Sequence, residues 1–191
     1  MIKDRKETKL SSNVSINDYE ALFKVQSKQA IADFIYQRLT ERYITPMENV
    51  PGEFKNGFSI MANCCLLIET YQCFRLGLKD TTLRGKGLEV FRDFFDNEPL
   101  FGAFIGMGEL FYTNVRCGIL HQGETKNGWT ISRKYVDPLF DKKTLRINAN
   151  LFLVALKKTL DNYRNQLINE GWNTVIWQNC HKKIQCIIDN C

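Results

Sequence analysis

The 191-residue chain sets 26 Lys and Arg against 21 Asp and Glu, a net charge of +5, and 44% of it is apolar. That is enough apolar material to fill one core of ordinary size, which excludes a disordered chain, and the charge leans only mildly toward polyanions such as RNA. The longest apolar run, Phe58 to Leu78, is interrupted by Asn63, Glu69, Gln72 and Arg75 and falls short of a membrane span.

Residues 1–14 carry Lys3, Asp4, Arg5, Lys6, Glu7 and Lys9 with few apolar partners, which predicts a flexible arm followed by one domain over 15–191. Ser15-x-x-Asp18 and Asn17-x-x-Glu20 are overlapping capping boxes. Leu22, Phe23, Ala30, Ile31, Phe34, Ile35 and Leu39 then recur at helical spacing, predicting one helix up to Tyr43, closed by Pro46 and Pro51. From Phe58 to about Leu76 nearly every position is apolar or small, as in a helix buried around most of its circumference. Glu69 sits inside that helix and needs a partner there.

Gly85 and Gly87 mark a connector, and Leu88, Phe91, Phe94 and Phe95 describe one face of a short helix ending near Pro99. A further helix is predicted from about Leu100 toward Arg116. Beyond Gly128, Trp129, Ile131, Arg133 and Tyr135 alternate with Thr130, Ser132 and Lys134. With the Asp137-Pro138 turn and a return strand over Thr144–Ile147, this predicts a small β-hairpin near 129–147. Asn148 caps a helix carrying Leu151 to Leu167 and stopped by Gly171, and a last helix runs from Val175 to about Ile188. The predicted fold class is mainly α, a helical bundle with an inserted hairpin.

Of the seven cysteines, Cys64, Cys65 and Cys73 lie in apolar surroundings that suit buried reduced thiols. Without a signal-like segment ahead of the core, a cytoplasmic location is expected. Cys180, His181 and Cys186 have no second pair at zinc-like spacing and read as helix packing, and no glycine-rich phosphate loop follows a strand. The sequence therefore predicts no metal and no cofactor. Trp129, Arg133, Lys134 and Tyr135 admit two readings, a hairpin folded over the core or an aromatic and basic surface on which RNA bases stack.

The segment with the most chemistry is Arg116-Cys117-Gly118-Ile119-Leu120-His121, a permanent cation and one of only two histidines in the chain. Its lead-in (Leu110, Phe111, Tyr112, Val115) is apolar and its exit, Gln122 to Gly128, is polar and rich in turn formers. On an ideal helix, five positions separate two side chains by roughly 140°. The pair meets only if Gly118 relaxes the helix, if the long Arg116 side chain bends round, or if two chains meet across a two-fold axis. Two other readings of these residues are a helix end whose Arg116 and His121 bind carbonyls, and a thiolate–imidazole pair of Cys117 and His121. His181 has no Arg at the same spacing, since Thr174, Val175 and Ile176 stand there.

Phe111 to Glu124 resembles the signature of the higher eukaryotes and prokaryotes nucleotide-binding (HEPN) superfamily: Arg, four to six residues, then His. Long buried helices before the motif and helices after it are similar in order, over about residues 16–170. The resemblance implies a HEPN-like helical bundle that forms a homodimer with the motif segments facing each other. It implies a metal-independent endoribonuclease in a toxin or antiphage defence system, acting on RNA and controlled by an antitoxin or other regulatory protein. Arg116 and His121 would be the catalytic pair and Glu69 a supporting acid. The residue after the Arg, often Asn, Asp or His in active members, is Cys117 here. The alternative is a catalytically inactive HEPN-like module that binds RNA, a nucleotide or a protein.

Overall fold

The computed structural model describes residues 5–48, 50–51 and 53–191. It is mainly helical, with eight α-helices among the described residues. They are α1 (Ile16–Lys24), α2 (Lys28–Leu39), α3 (Gly57–Leu76), α4 (Lys86–Asn97), α5 (Gly108–Phe111), α6 (Cys117–Gln122), α7 (Ala149–Asn169) and α8 (Val175–Asp189). None of the helices searched is long and apolar enough to cross a membrane.

The central helix is α3. Ile60, Met61, Cys64, Cys65, Leu67, Ile68, Tyr71 and Phe74 are all buried, which covers most of its circumference. It packs against α7, α8 and α4, and also touches α6. Gly77 ends it in the left-handed conformation at φ 64°, where Leu78 N–H bonds the Cys73 carbonyl at 3.0 Å. Beside α3, Phe91, Phe94 and Phe95 of α4 join Phe101, Phe104, Phe111 and Phe152 in one aromatic cluster. Phe111 anchors the segment that leads into Arg116.

The predicted helix from Ser15 to Tyr43 is two helices. Ser15 and Asp18 form the capping box at the start of α1. At its end, Gln26 adopts φ 52°, Gln26 N–H bonds Phe23 and Ser27 N–H bonds Leu22, both at 3.0 Å. This is a Schellman stop with Gln where glycine is usual, so no residue in the sequence announces it. The predicted helix from Leu100 to Arg116 is also broken. A 3₁₀ stretch, Pro99–Phe104, gives way at Gly106 (φ 73°) before α5 begins, and a π-helical turn, Tyr112–Arg116, separates α5 from α6.

The predicted hairpin is replaced by a three-stranded sheet of β1 (Thr130–Ser132), β2 (Phe140–Asp141) and β3 (Arg146–Asn148), in the order β1-β3-β2. β1 and β3 pair parallel, Ile131 opposite Ile147, and the antiparallel partner of β3 is β2, with Phe140 opposite Ile147. The turn around Asp137 reverses the chain once before β2 and the tight turn to Leu145 (φ 52°) reverses it again, so the central strand β3 runs the same way as β1 and against β2. Trp129 is buried, stacked on Phe140 at 5.3 Å, so it belongs to the core and not to an RNA-stacking surface.

Of the expected N-terminal arm, residues 1–4 lie outside the described residues. Residues 5–14 are docked: Leu10 is fully buried, its carbonyl accepts from Arg38 and Arg42, and Ser12 bonds Glu41. One apolar side chain and three cationic or acidic partners on the α2 side hold a segment whose composition looks like that of a solvated tail.

Candidate functional site

Arg116 closes the π-helical turn, where Cys117 N–H reaches back five residues to the Tyr112 carbonyl. A widened turn displaces carbonyls from the helical ladder, and the loop beyond α6 takes one up: Lys126 N–H bonds the Asn114 carbonyl at 2.9 Å. The buried Asn114 side chain also accepts from Asn127 Nδ2 at 2.7 Å. Gly118 is helical, so it does not relax α6. Its missing side chain has another use: a Cβ there would lie 2.4 Å from the Glu124 carbonyl oxygen, so the returning loop packs where only glycine leaves room.

The structure brings Arg116, His121 and Glu69 together within one chain. Arg116 Nε donates to Glu69 Oε1 at 2.8 Å, and the two side chains are 18% and 12% exposed. Arg116 Nη1 lies 3.3 Å from His121 Nε2. Of the three ways the pair can meet, the bent Arg116 side chain accounts for this contact. A donating guanidinium needs the lone pair on Nε2, which places the ring proton of His121 on Nδ1. His121 is exposed at the rim, whereas Glu69 is held inside and accepts from the Thr81 hydroxyl.

Tyr112, one turn before Arg116, lays its ring 5.4 Å from the guanidinium carbon in a cation–π contact. Partial burial opposes the charge on Arg116, yet the hydrogen bond and the charge of Glu69 outweigh it and hold the guanidinium's pKa above its ordinary value. Burial raises the Tyr112 phenol, and it raises the buried Cys65 thiol beside the site as well, Arg116 working against it. The result is a cation permanently charged and fixed in direction by an acid and a ring, with an imidazole beside it that faces solvent. Such a set has the chemistry to hold an oxyanion through the guanidinium and to exchange a proton through the imidazole.

Thr81 is absent from the sequence reading of this site, and Tyr112 enters it only as part of the apolar lead-in. The spacing of Tyr112 and Arg116, four residues apart, was a usable signal; Thr81, in the loop after α3, had none. Cys117 is half-buried and its thiol is free, as are those of the other six cysteines. Cys180 is buried on the inner face of α8, while His181 turns away toward aromatic rings; no group of three metal-binding side chains occurs among the described residues. This chain matches no family model, and no curated protein or solved structure shows significant similarity to it.

Proposed function

We propose that this chain is a HEPN-type endoribonuclease in which Arg116 and His121 cleave RNA without a metal. The observation that carries the reading is the 3.3 Å approach of Arg116 Nη1 to His121 Nε2, with Arg116 braced by Glu69. In the proposed reaction Arg116 Nη1 turns from His121 to the bound phosphate, and the freed Nε2 takes the proton of a 2′-hydroxyl, whose oxygen attacks the adjacent phosphorus. The Nη end of Arg116 neutralises the charge that grows on the phosphorane oxygens. The bond to the 5′-oxygen breaks, that oxygen takes a proton from water, and the products carry a 2′,3′-cyclic phosphate and a 5′-hydroxyl. Imidazole, with a reference pKa of about 6.5, suits proton transfer near neutral pH, and the need for a 2′-hydroxyl excludes DNA as a substrate. In this reading Glu69 and Thr81 are positioning residues.

The proposal extends to a homodimer with the two motif segments facing each other, in a toxin or antiphage defence setting under an antitoxin or other regulatory protein. Cleavage of end-labelled, mixed-sequence single-stranded RNA in EDTA is the test. Wild-type protein is expected to yield cyclic phosphate ends, His121→Ala to lose at least about 100-fold in rate, and Glu69→Gln to lose less while leaving the pH profile in place. A wild-type protein that leaves RNA intact, or a His121→Ala protein that cuts as fast, overturns the nuclease reading. Binding of RNA without cleavage leaves the module reading standing.

A further inference from the structure

A second feature lies at the other end of α3, where a cleft of about 930 Å³ opens between the loop before α3, strand β1 with the turn after it, and Arg146 at the start of β3. Its size is at the upper end of the range for small-molecule sites. Four cations line it, Lys55, Arg133, Lys134 and Arg146, against a single carboxylate among the described residues, Asp137, which is engaged by the Ser132 hydroxyl. Lys55, Lys134 and Arg146 have no carboxylate within salt-bridge distance among the described residues.

The aromatic side chains are placed as unusually as the cations. Phe54 is 57% exposed and Tyr135 is 96% exposed, and both line the same cleft. The cleft is built and not a chance gap between loops. Arg133 Nη1 donates to the Phe54 carbonyl and ties the turn to the loop, while its Nε is buried without a partner. Gly57 lets Ile131 close in as the floor, since a Cβ there would sit 3.1 Å from Ile131 Cγ2.

From this placement we infer that the cleft binds single-stranded nucleic acid, with Phe54 and Tyr135 as stacking faces for bases and Lys55, Lys134 and Arg146 as contacts to phosphates. Charge complementarity identifies a polyanion, and two exposed rings among the cations identify one whose anionic groups alternate with flat π faces. An acidic peptide satisfies the cations and leaves the rings unused. Gly57 and Glu69 are twelve residues apart on α3, about 18 Å along the axis, so the cleft is distinct from the Arg116 site. At about 3.4 Å per stacked nucleotide that distance is about five nucleotides. Where the nuclease reading holds, the cleft is a second foothold for the same strand, but binding here does not depend on cleavage.

The test uses the full chain carrying His121→Ala, so that no strand is cut, and fluorescence anisotropy with labelled ten-nucleotide oligouridylate, oligothymidylate, a ten-base-pair RNA duplex and oligoglutamate. Both single strands are expected to bind, the duplex and oligoglutamate much more weakly. Tyr135→Ala and Phe54→Ala, at exposed positions, are each expected to weaken binding roughly 5- to 100-fold. Lys134→Ala and Arg146→Ala should each flatten the slope of log affinity against log salt by about 0.7. Tighter binding of oligouridylate than of oligothymidylate adds recognition of the 2′-hydroxyl; equal binding means that rings and phosphates carry the contact. Affinity unchanged in both aromatic variants, no binding of either single strand, or equal binding of oligoglutamate overturns the inference. None of these results bears on cleavage by the wild-type protein, so the two proposals fail separately.

Discussion

The two histidines occupy opposite environments. His121 is exposed at the end of α6 with a guanidinium 3.3 Å away. His181, on α8, is wedged among Phe23, Trp172 and Trp177, with ring centroids 4.7, 4.5 and 5.2 Å away, and its Nδ1 meets the Tyr19 hydroxyl at 3.2 Å. Its other nitrogen, Nε2, is buried with no hydrogen-bond partner. Burial among the rings lowers the pKa of His181 to about 4. One imidazole faces solvent next to a charge, and the other is kept neutral as a flat packing element. Residue type alone says little about function; what surrounds the ring decides which of its properties is used.

The strongest way to break this contrast is to exchange the fates of the two residues. His121→Gln is expected to abolish RNA cleavage by about 100-fold or more with little change in melting temperature. His181→Gln is expected to leave cleavage intact and lower the melting temperature, because a flexible polar side chain replaces an aromatic one in a packed cluster. Parallel rate and thermal-melt measurements on both variants decide it, and equal loss of cleavage in both would erase the distinction.

A second prediction concerns the scaffold of the His121 side. Gly118→Ala forces a Cβ against the Glu124 backbone carbonyl, and backbone cannot swing aside as a side chain can. A loss of about 1–3 kcal/mol in chemical denaturation is expected, with a change in cleavage rate because the same loop return follows directly on His121. Wild-type stability in this variant would mean that the loop is not held in this position.

The smallest effect is the dependence of stability on pH. The unfolded His181 binds a proton near pH 6.5 and the folded one only near pH 4. Its contribution is therefore fully present above about pH 6.5 and is lost as pH falls toward 4, where the unfolded state gains more protons. Because the ring is only half-buried, solvent screening reduces the amount to on the order of 1–2 kcal/mol. Denaturation between pH 7 and pH 4 should show this decline in the wild-type protein and in His121→Gln, and a flatter profile in His181→Phe. An unchanged profile in His181→Phe would assign the decline to other groups.

Much of the helical framework was legible because its signals are local. The largely apolar stretch over 58–76, free of Gly and Pro, marks α3, Gly77 marks its end, and Asn148 marks the start of α7 through a side chain that accepts from the Leu151 N–H at 3.2 Å. The errors fall where the deciding contact is distant or the conformation is unsignalled. Gln26 takes a left-handed conformation that glycine usually fills, and the parallel pairing of β1 with β3 depends on two successive chain reversals. Residues 5–14 dock because Arg38 and Arg42, about thirty positions away, donate to the Leu10 carbonyl.

The candidate site divides along the same line. The sequence by itself determined which groups were available: a cation and an imidazole five residues apart, and a carboxylate stranded in an apolar helix that had to find a partner, since leaving a charge unpaired in such surroundings is costly. It also showed that His181 lacked a neighbouring Arg. Only the tertiary structure decided that Glu69 pairs with Arg116, that Tyr112 and Thr81 brace the pair, and that the Arg116 side chain bends round to His121 within one chain. The physical reason is range. Helical periodicity and capping act over a few residues, whereas the pairing of Glu69 with Arg116 spans 47 positions and exists only once α3 and the π-helical turn are packed side by side.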